Sequence, residues 1–216
     1  MRNFLKSEKN FMALTAAYTA FLLILPLVFS PESAKRILSE TGPIELLSIV
    51  AWLVLAALFA FSAFRPGVKW PMAALFGIFA AREADLHKAF TTQGMLKINY
   101  YTKAPAPLGE KVVAGIVALV IIGVLLYGGF LFMRFLIVRS GWRSHAGRWL
   151  VFAGFLFALS KLLDRLPNVM LEEHGIAFSP LMNLYFAALE EGWELWVPLT
   201  LSWLAWSRKE EFAGLE

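Results

Sequence analysis

Three carboxylates, Glu190, Glu191 and Glu194, stand in the middle of a hydrophobic stretch that runs from about Pro180 to Trp206. A charged side chain at the bilayer centre costs on the order of 2.5–3.5 kcal/mol on insertion scales, so three together require a protein-lined, partly hydrated cavity with compensating partners. Long basic side chains can snorkel to the interface; short acidic ones cannot. Carboxylates held together in a low-dielectric pocket do not ionise equally. One is pushed toward the range of a general acid while another stays a base or nucleophile. That is the equipment of glycoside hydrolysis.

Partners of the right chemistry lie on other stretches. The third ends with Arg82, Glu83, Asp85, His87 and Lys88, and the fifth with Lys161, Asp164 and Arg165. The uncharged parts of both, about 70–81 and 149–160, fall short of the roughly 20 residues needed to cross, so these charges begin below the interface and near the depth of the acidic trio. At 100° per residue Glu83 and His87 share a helix face, Arg82 and Asp85 form a second pair, and Lys161 and Arg165 share a face. On the sixth stretch Asn183, Ala187, Glu190, Glu191, Glu194 and Pro198 fall within a stripe of about 100°, with Trp193 and Trp196 turned toward lipid or packing.

One cavity is therefore expected, with Glu190, Glu194, Glu191, Glu83 and His87 doing chemistry. Arg82, Asp85, Lys88, Lys161, Asp164, Arg165, Glu45 and Asn183 would hold the substrate. Several of these have plainer readings. Glu45 follows Pro43 in a first helical turn, where a carboxylate favours the helix dipole. Arg82 with Asp85 and Lys161 with Asp164 can be structural ion pairs. His174, beside Glu172 and Glu173, reads as a solvated turn residue or a pH-sensitive group over the cavity, and His145 as a loop residue. No cofactor is demanded by the chemistry. A divalent metal has one candidate ligand set, Glu83, His87, Glu190 and Glu194, although the spacing departs from the Glu-x-x-His pattern of carboxylate bundles.

The elements that must position these groups follow from composition. The 216 residues are 59% hydrophobic and 17% charged, with mean hydropathy +0.63, too apolar for a soluble domain. The pattern predicts an all-α membrane bundle with six spans, about 11–30, 43–64, 70–90, 111–138, 148–166 and 180–206, in a single transmembrane domain covering 1–216. The first stretch reads as a retained anchor rather than a signal peptide, with Pro31 where cleavage would fall. The absence of cysteine excludes disulfides and thiolate chemistry. The net charge of +4 belongs to membrane loops, and no nucleic-acid motif is visible. Basic clusters at Arg2, Lys6 and Lys9 and at Arg134, Arg139, Arg143 and Arg148 orient both termini to the cytoplasm, placing the site on the periplasmic side of a bacterial inner membrane.

Local signals add detail. Ser30-Pro31, Gly42-Pro43 and Ser179-Pro180 open helices. Met95 to Lys103 reads as an interfacial stretch before the extended Ala104-Pro105-Ala106-Pro107 linker, and Pro167 to Gly175 as a break with a capped turn.

The basic outer rim, with Arg82, Lys88, Lys97, Lys103, Lys111, Lys161 and Arg165, suits the phosphate or carboxylate of an anionic lipid. The expected function is thus an integral membrane enzyme that hydrolyses or transfers a head group of an anionic lipid or glycolipid. A proton- or cation-coupled transporter or channel is the first alternative, and a noncatalytic subunit that pairs with a membrane protein partner the second.

Overall fold

The computed structural model describes residues 7–39, 41–86, 91, 94–212 and 215, and among them every regular element is a helix. In order these are α1 (Glu8–Val28), α2 (Pro31–Ile37), α3 (Pro43–Ala60), α4 (Pro66–Glu83) and the short α5 (Ile98–Thr102). Then come α6 (Leu108–Met133), which runs on as a π-helical segment Arg134–Val138, α7 (His145–His174), α8 (Pro180–Ser207) and α9 (Lys209–Phe212). Four of them, α1, α3, α6 with its π segment, and α7, are long and apolar enough to cross a membrane. Helix α8 is also long enough at 28 residues, but every stretch of 18 within it contains all three glutamates.

Helix starts follow the proline signals. The Ser30 hydroxyl accepts the Ser33 N–H at 3.3 Å and Ser179 accepts that of Met182 at 3.2 Å, each with proline at the first helical position. The N-terminus of α7 is capped less locally: Ser144 Oγ accepts from Gly147 at 3.0 Å and the Glu211 carboxylate accepts from Ala146 at 2.9 Å.

Two ends differ from expectation. In the third stretch, read as 70–90, the helix Pro66–Glu83 ends before Asp85, which adopts a left-handed conformation with φ 52° and whose N–H bonds the Arg82 carbonyl; residues 87–90 lie outside the described residues. No glycine or proline marks that stop; aspartate is one of the few residues that tolerate the left-handed cap. The break expected at Pro167 does not occur, because α7 continues to His174 and ends at Gly175, φ +67°. Pro167 lacks the N–H that would bond the Leu163 carbonyl, a loss that helices tolerate inside membranes.

The chain divides into two compact units, Met1–Ser48 with Arg148–Lys209 and Ile49–Gly147 with Glu210–Glu216. In the first, α8 packs antiparallel along α1. Phe11 stacks on Trp203 at 4.0 Å and 4°, Tyr18 stacks on Trp196 at 4.5 Å, and Gly192 lies against Leu22. The summed residue numbers of these pairs stay constant, which is the register of two straight antiparallel helices. Trp149 of α7 meets Phe11 and Trp203 edge-on, and its indole N–H donates to Glu8 at 3.0 Å.

In the second unit Trp52 of α3 stacks on Phe79 of α4 at 4.7 Å, and Gly128 of α6 receives Leu75 and Met72. Pro71 inside α4 has no N–H to give the Gly67 carbonyl, and Tyr127 of α6 donates its hydroxyl there at 3.1 Å. The segment around α5 is a folded elbow. Tyr100, fully buried with Met95, Ala104 and Ala114, donates to Glu110 at 2.7 Å, while Tyr101 donates to the Met95 carbonyl at 2.6 Å. Burial first, then the hydrogen bond and charge of Glu110, push the Tyr100 phenol up to about 12. Its proton is held more tightly in the folded chain, so the elbow's stabilisation is complete below the ordinary phenol range and is lost as pH rises through about 10 to about 12. In phenolate absorbance titrations the difference between wild type and Tyr100→Phe should rise near pH 12. A rise near pH 10 would contradict the buried arrangement.

Candidate functional site

Within the first unit the acidic stretch of α8 lies between α1 and α7. Gly192 lets α1 approach: a Cβ at that position would strike the Leu22 side chain. Tyr18 then reaches the Gly192 carbonyl with its hydroxyl at 3.0 Å, and Trp196 donates to Thr15 at 3.1 Å. These contacts fix the rotation of α8 about its axis at the level of its carboxylates.

From α7, Lys161 forms an ion pair with Glu194. Only 6% of the Glu194 side chain is exposed, against 30% for Lys161, so the carboxylate sits in the interior and the ammonium reaches it from a wetter side. Pro198 adds to the negative field, since it has no N–H for the Glu194 carbonyl four residues earlier. Glu190 lies one turn before Glu194 on the same face and is half-buried, as is Glu191. Glu45 is half-buried near the start of α3, with Oε2 cut off from solvent.

The remaining expected residues fall as follows. Asp164, Arg165 and Asn183 are exposed. Lys161 reaches across to the buried Glu194 of α8. Arg82 and Glu83 belong to the second unit, where the guanidinium meets the Glu83 carboxylate at 2.9 Å. Asp85, in the same unit, forms the left-handed cap after α4. His87 and Lys88 lie outside the described residues. Among the described residues no group of three or more His, Asp or Glu is gathered for a metal ion. Trp196, expected toward lipid or packing, is packed, stacked on Tyr18 and 6% exposed.

Tyr18 and Thr15 were not anticipated as part of this neighbourhood. The available signal was modest: with Thr19 they are the hydroxyl-bearing side chains in the interior of an otherwise apolar first stretch, where a hydroxyl needs a partner.

Comparison with known protein families, curated proteins and solved structures finds no match for the chain.

Proposed function

We propose that this chain is a six-span inner-membrane protein with both termini cytoplasmic, in which α4 and α8 join the four apolar helices as spans. On this reading α8 carries a periplasm-facing catalytic site that hydrolyses or transfers the head group of an anionic lipid or glycolipid. The observation that supports it best is the ion pair from Lys161 of α7 to Glu194 of α8, a helix whose every 18-residue stretch contains Glu190, Glu191 and Glu194. Three acids in the middle of one span are more charge than the surrounding apolar run tolerates without a purpose, which favours a functional site.

In the proposed reaction Glu194, ion-paired with Lys161, takes a proton from water as the water oxygen attacks the bond to the head group. Glu190, one turn away, gives its proton to the leaving oxygen, so the substrate is cleaved and one water is consumed. Lys161 and the exposed Arg165 attract the substrate's anionic group. The test is the purified protein in proteoliposomes containing fluorescently acyl-labelled phosphatidylglycerol or an anionic glycolipid. A labelled product with an altered head group is expected, and persistence of intact lipid of both kinds overturns the reading.

The same ion pair favours a second reading, a proton- or cation-coupled transporter, because an acid exchanging its proton against a tethered ammonium is a proton relay. The topology has its own check. The chain contains no cysteine, so single cysteines placed at Lys103 and Glu173 should react with an impermeant maleimide from outside intact spheroplasts, and one at Ser140 only after lysis. The reverse pattern would invert the assigned orientation.

A further inference from the structure

Gly109, Val113, Val117, Ile121 and Leu125 of α6 recur at every fourth residue and so form a row about 24 Å long at 1.5 Å per residue. Two cavities of the second unit adjoin this row. One, of about 480 Å³, lies against Gly109, Val113 and Val117, and the other, of about 300 Å³, against Val117, Ile121 and Leu125. They share Val117 and Met95, which makes them two halves of one groove. Its other wall is built by Ile78 and Phe79 of α4, with Leu96 from the elbow.

The groove is open and apolar. Val113 is 63% and Val117 40% exposed. Glu110, which also lines it, accepts the Tyr100 hydroxyl at 2.7 Å. Water gains little in such a space, since it needs two to four polar partners to be held. Hydrocarbon fills it well, and a row of about 24 Å exceeds the roughly 15 Å that one leaflet's chains span. Two cations adjoin the half next to α4: Arg82, ion-paired to Glu83, lines the wall with 42% of its side chain exposed, and the exposed Lys97 follows Leu96 directly, while Glu110 in the other half is engaged by the Tyr100 hydroxyl. Basic pockets between membrane helices recognise anionic head groups in this way.

We propose that this groove binds one acyl chain of an anionic phospholipid, with Arg82 and Lys97 receiving the phosphate. The site lies wholly in the second unit and is independent of any reaction at Glu190.

The test uses the full chain in phosphatidylcholine nanodiscs doped with a diazirine-acyl probe, either phosphatidylglycerol or phosphatidylcholine. After photolysis, the phosphatidylglycerol probe should label peptides covering 95–96 and 113–125 in preference to the phosphatidylcholine probe. Arg82→Gln and Lys97→Gln should each lower that labelling about fivefold while leaving the phosphatidylcholine background unchanged. Val117→Trp, which fills the middle of the groove, should abolish the preference, and Val113→Trp at the more exposed end provides the same test should the first variant not fold. Equal labelling by the two probes, labelling spread evenly over other exposed faces such as α1, or insensitivity to both tryptophan variants would overturn the proposal.

Discussion

Lys161→Met is expected to destabilise the protein by about 3 kcal/mol, because it leaves Glu194 in the interior without its ammonium partner. Removing one member of a buried pair costs roughly 3–5 kcal/mol, and the lower end applies because 30% of the Lys161 side chain is exposed to solvent or head groups. Most of that loss should return when Glu194→Gln is added, since a neutral amide no longer carries the desolvation cost of an unpaired carboxylate. Unfolding of the purified protein in mixed micelles measures all four corners of the cycle. A Lys161→Met variant as stable as wild type, with no coupling to Glu194, would show that the pair does not hold α7 to α8.

Glu190→Gln is expected to lower turnover by about 10²- to 10⁴-fold, the usual contribution of a positioned general acid, while leaving the fold intact. The amide retains the size and hydrogen-bonding capacity of the acid but has no proton to give the leaving oxygen. Arg165→Gln, by contrast, should raise KM and leave kcat nearly unchanged, because an exposed cation attracts the substrate without touching the reacting bond. Steady-state rates on the phosphatidylglycerol and glycolipid substrates, read alongside unfolding midpoints, separate the two effects. Loss of folding in Glu190→Gln with no loss of turnover per folded molecule would make the acidic trio structural.

The parts legible in the sequence were those set by local chemistry. Ser30-Pro31 and Ser179-Pro180 start helices where they should, because the hydroxyl cap and the fixed proline φ act within a few residues. The acidic stretch of α8 was legible because three charges in an apolar run contradict their surroundings. The ends of α4 and α7 were not. Asp85 caps α4 in a left-handed conformation that aspartate only sometimes adopts, and Pro167 is carried inside α7 because a helix can forgo one donor. A base from the fifth stretch is expected to face the acidic stretch, but the particular pairing of Lys161 with Glu194 is not legible in the sequence. Spacing along one helix proposes Asp164, but Glu194 comes from another helix brought close by packing that includes Gly192 against Leu22, a contact visible only in three dimensions. The same packing brings Tyr18 to the backbone of α8.

If the carboxylates of α8 make and break a covalent bond rather than only carry ions, a membrane lipid must change its head group. Mass spectrometry of lipid extracts from cells producing wild-type protein, Glu190→Gln, or neither tests this most directly, with pH-driven flux measured in proteoliposomes in parallel. A head-group difference is expected in wild-type cells and should disappear in Glu190→Gln cells. Identical lipids in all three, together with proton or cation flux that depends on Glu190, would contradict it.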